Sequence, residues 1–431
     1  MSTQAQLVQL LKQKGTGKSM SKSLSTAQCD ELLACFESTQ CSDVTKSTIW
    51  TALMMLDNNA HERETLETLN NSPHLPKACQ ALLSDTDNAL LLMIKQLLAK
   101  QDLNDTSMNL GIQALFDPDV DMALKACFLE GLRLKEESSL ENTLMLDYYL
   151  KTSQTLCCDR PVLIDLATAY DGFNRHPNLI LFMAPLLASI GFPTVIHGCE
   201  EVSPKRGIGP YKLLKAAGKN PLKSLLEAKN CIENEAISWA YIDQSQFFPE
   251  ADSLRELRQL MVKRPLLATV EKFCQPLVCK GDTILVTGYT HPPYRQKSMG
   301  LLNVVMTRHP LSSYVLLRGV EGSVLAPLDR RCPLVTEKKG KTPTEGFSSP
   351  EDYGFKQSER AVANYDITVE DTLKLGEQCL KGVQGPYLDQ LLYNCLLLLS
   401  QSNLSTDIAK AKADLQQSIS SGNALRYWQA Y

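Results

Sequence analysis

The stretch from Pro161 to Gly218 constrains the fold most, because apolar strand patterns alternate there with helix patterns. An apolar run over Pro161–Ala167 leads into the polar loop Thr168–Pro177. An apolar helix over Asn178–Ile190 then leads into a second apolar run, Pro193–His197, and a further helix is expected to begin near residue 210. Strands that are apolar throughout and separated by helices are typical of a parallel sheet covered on both faces.

The loops that follow these two strands are the expected place for function. In open α/β sheets, ligands bind outside the carboxyl ends of the strands. The first such loop is Thr168–Pro177 and the second is Gly198–Gly209. Later apolar runs predict three more strands, over Ala236–Ile242, Thr283–Gly288 and Tyr314–Arg318. Glu337–Gly346 is predicted to be a polar loop.

The part of the chain before residue 156 is predicted to be helical. The expected domains are residues 1–100, a second helical module over residues 101–155, and an α/β domain over residues 156–431. Asp119–Leu144 aligns with Asp43–Leu66, which suggests a duplicated module; the alternative is that amphipathic helices resemble each other through periodicity alone. The predicted fold class is therefore α/β: a helical N-terminal region followed by a mostly parallel sheet flanked by helices.

Composition favours a folded, soluble chain. Hydrophobic residues make up 44% and charged residues 21% of the sequence, which is ordinary for a globular protein. The longest apolar stretch, Leu179–Phe192, is too short to cross a bilayer, and the N-terminus lacks an apolar signal core, so a cytoplasmic location is expected. The 14 cysteines show no disulfide-framework or zinc-site spacing, so we expect reduced thiols and no metal site.

Positive charge is concentrated in one segment although the net charge is −4. Val202–Leu226 contains six basic residues and no acidic one. If helical geometry holds, the last four lie on one face, and they form either a phosphate-binding stripe or a solvated lysine face. A second basic group, Lys12, Lys14, Lys18 and Lys22, is predicted to be a solvated arm or a phosphate-contacting one. GTGKS at Gly15–Ser19 is not a P-loop, because Lys12 stands where that motif requires glycine.

Three passages carry a family resemblance. They are Tyr170-Asp171-Gly172, APLLASIGFPTVIHG (Ala184–Gly198) and GVEGSVLAPLDRRCP (Gly319–Pro333). They resemble the anthranilate phosphoribosyltransferase family (glycosyltransferase family 3), and more closely its nucleic-acid-binding, YbiB-type branch. The resemblance implies a nucleoside phosphorylase/phosphoribosyltransferase-like fold, one small helical domain before the sheet, and a homodimer joined through that helical region. A second helical module departs from this pattern.

The motifs that the family uses for catalysis are altered in this chain. The resemblance implies a glycine-rich loop for pyrophosphate and paired carboxylates for magnesium. Where the family has Gly-Thr-Gly-Gly-Asp, this chain has Ala-Thr-Ala-Tyr-Asp-Gly at Ala167–Gly172. Where it has Lys-His-Gly-Asn-Arg, this chain has Ile-His-Gly-Cys-Glu at Ile196–Glu200, and where it has Asp-Glu only Glu321 remains. The expectation is a loss of phosphoribosyl transfer.

The preferred hypothesis is a non-catalytic protein that binds the backbone of DNA or RNA along a basic cleft rim, without a cofactor or a membrane. Its predicted binding residues are Arg175, Lys205, Arg206, Lys212, Lys215, Lys219, Lys223, Arg295, Lys297 and Arg318. The predicted cleft loops contain Tyr170, Asp171, Gly172, Gly198, His291, Gly319 and Glu321.

The alternative is an active phosphoribosyl or related glycosyl transferase with an altered acceptor and Mg²⁺. Its working residues would be Asp171, His197, Arg258 and Glu321. Arg258 matches the family's helix arginine, and Lys263-Arg264 match its hinge. A structural role in packing and hydrogen bonding is the competing interpretation of His197 and His291.

Overall fold

A computed structural model describes residues 2–15, 20–358 and 366–431. The chain divides into two compact units. One, the helical unit, contains the residues up to Tyr148 together with Ser253–Val270, and the other, the sheet unit, contains Tyr149–Asp252 and Glu271–Tyr431. The predicted domain boundaries at residues 100 and 155 stay predictions, and this division has a boundary of its own after Tyr148.

The helical unit begins with a run of helices and no strand among its described residues. In chain order these helices are α1 (Thr3–Lys14), α2 (Thr26–Glu37), α3 (Asp43–Met55), α4 (Ala60–Asn70), α5 (Lys77–Leu83), α6 (Ala89–Leu98), α7 (Asp105–Phe116), α8 (Met122–Lys135) and α9 (Ser139–Thr152).

Side-chain caps explain where several of these helices begin. Ser25 accepts a hydrogen bond from the backbone of Gln28, whose side chain returns one to the backbone of Ser25. Asn59 and Glu62 form the same reciprocal pair at the start of α4. Each pair satisfies two N–H groups that the first turn of a helix leaves without partners. The predicted N-cap at Ser25 is confirmed.

The elements after α9 are mostly those of the sheet unit. In chain order they are β1 (Leu156–Cys158), β2 (Val162–Ala167), α10 (Ile180–Ala188), β3 (Thr194–Gly198), α11 (Pro210–Ala216), α12 (Leu225–Glu233), β4 (Trp239–Asp243), α13 (Gln244–Phe247), α14 (Pro249–Ser253), α15 (Arg255–Met261), α16 (Leu267–Val270), β5 (Leu277–Cys279), β6 (Asp282–Gly288), α17 (Pro293–Arg308), β7 (Leu311–Leu317), β8 (Cys332–Lys338), β9 (Thr344–Ser348), α18 (Val369–Leu380), α19 (Pro386–Gln401), α20 (Ile408–Ser420) and α21 (Asn423–Ala430). Helices α15 and α16 belong to the helical unit.

Seven strands form the main sheet in the order β4-β3-β2-β6-β7-β8-β9. The first five pair in parallel, and β8 and β9 are antiparallel additions. β1 and β5 form a separate parallel pair. The predicted fold class, with its mostly parallel sheet, is confirmed. Because β2, β3, β6 and β7 run the same way, the loops that follow them emerge at one edge of the sheet.

The core of the sheet unit surrounds α10. Every residue of Ile180–Ala188 is buried, as expected for a helix that is apolar on all sides. Trp239 on β4 stacks between Trp428 and Tyr431 of the C-terminal segment, with ring centroids 5.7 and 4.2 Å away. The end of the chain therefore closes one side of this core.

Two predictions about the sheet unit were wrong. Glu337–Gly346 is a hairpin rather than a loop alone, because its ends belong to β8 and β9. The basic stripe does not lie on one helix: α11 ends at Ala216, so Lys219 and Lys223 lie beyond it.

All 14 cysteines are free thiols. Among the described residues, no helix is long and apolar enough to cross a membrane.

Candidate functional site

The loops that follow β2 and β3 are joined to each other by backbone hydrogen bonds. Phe173 and Ile208 exchange both of their N–H···O bonds, at 3.1 and 2.8 Å. Gly207 donates its N–H to the carbonyl of Asp171 at 2.9 Å. Gly172 has a φ of +70°, and a Cβ there would lie 2.7 Å from the backbone of Gly207, so glycine is required at this close approach. The predicted loops therefore form one connected structure at the strand ends.

Glu321, in the loop after β7, reaches into this structure with its carboxylate. The N–H groups of Asn174 and Arg175 donate to it at 3.2 and 2.9 Å. The Lys205 ammonium lies 3.2 Å from Oε2, and Nδ1 of His176 lies 3.4 Å from Oε1. Only 7% of the Glu321 side chain is exposed. One buried carboxylate thus has four donors around it, two of them consecutive backbone amides.

The surroundings of Glu321 stabilise its charged form. Burial alone would raise the pKa of this carboxyl group. The hydrogen bond with His176, the charge of Lys205 and the two backbone N–H groups outweigh burial and lower the pKa to about 2. Successive N–H groups that converge on one point form an anion-binding cradle. Here the anion in the cradle is the protein's own carboxylate.

His197, at the end of β3, lies in a buried network. The Tyr170 hydroxyl lies 2.5 Å from its Nδ1 and also donates to the carbonyl of Glu271 at 3.2 Å. On the other side, its Nε2 faces Oδ1 of Asp165 at 3.3 Å. Burial raises the pKa of Asp165, and the neighbouring His197 partly opposes this.

These partners are consistent with one set of protons. If the Tyr170 hydroxyl gives its proton to Glu271, then Nδ1 of His197 carries the proton that goes to Tyr170. Nε2 is then the acceptor nitrogen that faces the Asp165 carboxyl group. His197 has no exposed surface, and its ring makes edge contacts with Tyr170 and Phe247. Both predicted interpretations of His197 stay predictions, and the structure encloses its ring among Tyr170, Asp165 and Phe247.

Most of the predicted lysine stripe has acidic or aromatic partners. Lys212 lies 2.6 Å from Glu201, and Lys215 lies 3.6 Å from Glu200. Lys219 lies over the ring of Trp428 and Lys223 over the ring of Tyr431, at 4.9 and 4.7 Å from the centroids. These lysines therefore do not form a continuous line of uncompensated positive charge.

The predicted cations near β6 and β7 are also partly engaged. Arg295 pairs with Glu345 at 2.9 Å. Because a cation in the first turn of a helix is unfavourable beside the positive end of the helix dipole, this anion stabilises Arg295 at the start of α17. Lys297 lies over the ring of Tyr294. His291 is exposed in the loop before α17. Residue 319 has to be glycine for a structural reason, because a Cβ there would lie 2.0 Å from the carbonyl oxygen of Ser323.

Three arginines at the loops of the cleft edge are exposed, and one of them, Arg318, donates through Nε to the carbonyl of Thr290 at 3.0 Å. Arg175 follows β2, Arg206 follows β3 and Arg318 follows β7. Arg175 and Arg206 are each next to a residue that contacts Glu321, because Asn174 and Lys205 are two of its partners. Of the cations in residues 205–223, Lys205 contacts Glu321 directly and Arg206 is next to it in sequence.

Several predicted cations belong to the helical unit. Arg258 is buried, with 1% of its surface exposed. Lys263 donates to the carbonyl of Leu11 at 2.8 Å, and burial lowers its pKa to about 8. Lys14 does not belong to an exposed basic arm, because it is buried and pairs with Glu62 at 2.9 Å. Lys18 lies outside the described residues.

The cleft edge does not fit magnesium pyrophosphate. The carboxylate that reaches the loop after β2 is that of Glu321, and its oxygens already accept backbone N–H groups. Within the described ranges no three His, Cys, Asp or Glu side chains lie close enough to hold a metal ion. In the loop after β2 the bulky side chain of Tyr170 is buried two residues before Gly172, which limits how closely a phosphate could approach the backbone there.

Sequence reasoning missed two features of this site. The first is Asp165, whose presence inside the apolar run of β2 was a signal for a buried polar network. The second is the pairing of Glu200 and Glu201 with the lysines of α11. That pairing joins residues across a loop whose path no local pattern predicts.

Comparison with known proteins gives relatives at low identity. An uncharacterized protein of Aquifex aeolicus is 24% identical over 300 residues, 69% of this chain and 87% of the relative. Anthranilate phosphoribosyltransferase of Legionella pneumophila is 24% identical over 335 residues, 77% of this chain and 93% of the relative. The uncharacterized protein YbiB of Escherichia coli is 24% identical over 238 residues, 54% of this chain and 69% of the relative. No family model matches the chain.

Solved structures show the same fold. Anthranilate phosphoribosyltransferase from Thermus thermophilus superposes with a TM-score of 0.62 at 19% identity, over 79% of this chain and 98% of the other. The Saccharomyces cerevisiae enzyme in complex with PRPP and Mg gives 0.62 at 17% identity, over 80% and 97%. Both matches leave about a fifth of this chain without a counterpart.

Proposed function

Because the chain is an anthranilate phosphoribosyltransferase-like protein in sequence and fold, we propose that it has exchanged phosphoribosyl transfer for binding of a nucleic-acid backbone. The first half of the proposal, the loss of phosphoribosyl transfer, depends on the position of Glu321. Its carboxylate already accepts the N–H groups of Asn174 and Arg175 at 3.2 and 2.9 Å. A pyrophosphate would have to displace this carboxylate and then face it, because a pKa of about 2 keeps Glu321 charged at neutral pH.

The residues of the transferase alternative support the same conclusion. His197 is fully buried in its contact with Tyr170, and Asp171 is also buried. Glu321 is bound to the loop that would have to receive the pyrophosphate. Arg258 belongs to the helical unit. None of the three candidates in the sheet unit is presented to solvent as a group ready for acid–base or metal chemistry.

The second half of the proposal depends on the exposed arginines at the cleft edge. Arg175, Arg206 and Arg318 follow the parallel strands β2, β3 and β7, so they lie at one edge of the sheet, although β6 separates β2 from β7. Guanidinium groups contact phosphate oxygens in planar, two-bond geometry. Contacts to phosphate alone carry no sequence information, so the binding would be nonspecific and sensitive to salt.

The binding test uses fluorescence anisotropy of labelled 20-nucleotide DNA and RNA of mixed sequence, single-stranded and duplex, from 25 to 250 mM KCl. For about three phosphate contacts, log K should fall with log salt with a slope of roughly −2 to −3. The triple variant Arg175→Glu, Arg206→Glu, Arg318→Glu should lose at least about tenfold in affinity at 50 mM KCl.

The matched control is Lys339→Glu, an exposed lysine in the hairpin that joins β8 to β9. Because β8 is antiparallel to β7, this hairpin lies at the opposite edge of the sheet from the arginines. The control should bind like the unaltered protein. Absence of binding at 25 mM KCl, or equal binding by the triple variant, would contradict the nucleic-acid half of the proposal.

The catalytic half is tested by turnover. The full chain is expected to leave phosphoribosyl pyrophosphate intact with Mg²⁺ and a panel of aromatic and heterocyclic acceptors. Magnesium-dependent release of pyrophosphate with any acceptor would establish the transferase alternative.

A further inference from the structure

The two helical modules are related by a constant shift of 79 residues. α2 and α7 both contain 12 residues, and they begin at Thr26 and Asp105. α3 and α8 begin at Asp43 and Met122, with the same separation. Helix lengths and spacings of this kind suggest a repeat, but amphipathic periodicity alone could imitate them. The side-chain bonds decide between these interpretations.

In each module a buried glutamate accepts hydrogen bonds from two backbone N–H groups at equivalent positions. Glu62 accepts the backbone N–H of Leu24 at 2.8 Å, and Glu141 accepts that of Leu103 at 2.9 Å. The second oxygen of each carboxylate accepts the N–H of the residue three positions earlier, at 2.8 and 2.7 Å. Both glutamates have no exposed surface.

A buried lysine repeats with equal fidelity. Lys46 donates to the carbonyl of Ser38 at 3.0 Å, and Lys125 donates to the carbonyl of Asp117 at 2.5 Å. Both pairs keep the shift of 79 residues. Helix periodicity does not produce identical bonds from side chains to backbone groups in loops, so the modules are copies of one unit.

A second buried lysine lies beside the buried glutamate in each module, but the two modules supply it from different sequence positions. Lys14, from α1, donates to the carbonyl of Asp57 at 2.7 Å and pairs with the buried glutamate of the first module. Lys135, from α8, donates to the carbonyl of Glu136 at 3.2 Å and pairs with the buried glutamate of the second. The acceptors are equivalent positions, whereas the lysines reach them from different helices.

The two copies pack against each other through equivalent helices. Met55 of α3 and Leu134 of α8 are equivalent positions, and both belong to one buried cluster with Ala52. Contact between a residue and its own counterpart is the mark of a twofold axis, because only positions near such an axis meet their equivalents. The contact between α3 and α8 therefore has the geometry of an isologous dimer interface within a single chain.

We propose that the second module acts as a built-in partner: it covers in cis the face of α3 that a single-module protein would present to a second copy of itself. The chain is then a monomer, and the homodimer expected through the N-terminal helical region is replaced by an internal pseudo-dimer.

The first test is the mass of the full chain in solution, measured by sedimentation velocity and light scattering from roughly 1 to 100 µM. The expected mass is that of one chain, 47.9 kDa, at every concentration. A mass that rises to twice this value would overturn the proposal.

Two variants on the axis, Met55→Glu and Leu134→Glu, provide the second test. Because each places a charge in the buried cluster, each should lower the melting temperature by roughly 5 °C or more while the mass stays that of one chain. Leu92→Glu is the control, because Leu92 is an exposed residue of α6 and should change neither quantity. If the face joined two copies, the same axis variants would convert a dimer into a monomer.

Discussion

Glu62→Gln is expected to destabilise the helical unit by about 3–5 kcal/mol, the largest loss among the glutamates that cap helices in this chain. Lys14 is buried and lies 2.9 Å from the Glu62 carboxylate. Its other hydrogen-bond partner is the neutral carbonyl of Asp57. The substitution leaves the Lys14 ammonium buried without a counter-charge, and it weakens the bonds to the N–H groups of Leu24 and Asn59.

The internal repeat supplies a matched comparison for this prediction. Glu141→Gln removes the equivalent carboxylate, but Lys135 keeps a second acid, Asp102, at 2.6 Å. We therefore expect a smaller loss for Glu141→Gln, about 1–3 kcal/mol. Glu227→Gln should have the smallest effect, because Glu227 is an exposed member of the same kind of capping box.

Pulsed hydrogen exchange during guanidinium unfolding measures these losses, because peptides from the two compact units report on them separately. The expected order of destabilisation is Glu62→Gln, then Glu141→Gln, then Glu227→Gln. A loss for Glu62→Gln no larger than that for Glu227→Gln would show that the buried ion pair contributes no stability.

The effect of Glu62→Gln should depend on pH. Burial would raise the pKa of Glu62, but the N–H groups of Leu24 and Asn59 and the Lys14 ammonium outweigh burial and lower it. A carboxyl group with a lowered folded-state pKa stabilises the protein above its ordinary pKa, and this stabilisation is lost as pH falls through the folded-state value. The difference between Glu62→Gln and the unaltered chain should therefore shrink below about pH 4.

Local patterns predicted the elements that have strong local causes. The apolar runs of β2 and β3 and the fully apolar α10 identified the parallel sheet, because burial on both faces leaves an uninterrupted hydrophobic signal. Ser25 identified the start of α2, since an N-cap acts within three residues. These causes lie in contiguous sequence, so the sequence alone was enough.

The stripe at residues 205–223 shows where local reasoning failed. A spacing of three and four predicted one helical face, but α11 ends at Ala216. Two of the lysines contact aromatic rings that are distant in sequence; Lys219, for example, lies over the ring of Trp428. Such contacts depend on how the C-terminal helices pack, which no local pattern contains.

The candidate site illustrates the same limit. Sequence placed Glu321 at the strand ends but could not predict that its carboxylate accepts the N–H groups of Asn174 and Arg175. Those residues are about 146 positions away in the chain. The sequence alignment paired Asp119 with Asp43, a shift of 76 residues, whereas the bonds of Glu62 and Glu141 relate the modules by 79 residues, so the predicted register was wrong.

Glu321→Gly is expected to open the anion cradle and to increase the affinity for inorganic pyrophosphate by at least about tenfold, which is 1.4 kcal/mol. Removal of the carboxylate leaves the N–H groups of Asn174 and Arg175 and the Lys205 ammonium facing an empty position. Glycine is the suitable replacement because residue 321 has a φ of +52°, a left-handed conformation that glycine adopts without strain.

The same variant should lose stability in a pH-dependent way. The pKa of Glu321 is lowered from 4.5 to about 2, so its stabilising contribution is complete above about pH 4.5 and disappears as pH falls towards 2. The shift corresponds to about 3 kcal/mol at neutral pH, less any gain from relieving the left-handed backbone. Unfolding curves at pH 7 and pH 3 should therefore differ more for the unaltered chain than for Glu321→Gly.

Calorimetric titration with pyrophosphate, without magnesium, measures the opening of the cradle directly. Glu345→Gln is the control, because Glu345 pairs with Arg295 at a half-exposed position and should leave pyrophosphate affinity unchanged. Glu321→Gly should also bind labelled nucleic acid at least as tightly as the unaltered chain, since a negative charge has left the arginine-lined edge. If the unaltered chain binds pyrophosphate as tightly as Glu321→Gly does, the carboxylate does not block the cradle. If the turnover assay also finds no phosphoribosyl transfer, that result would need another cause, such as the buried Tyr170 side chain in the loop after β2.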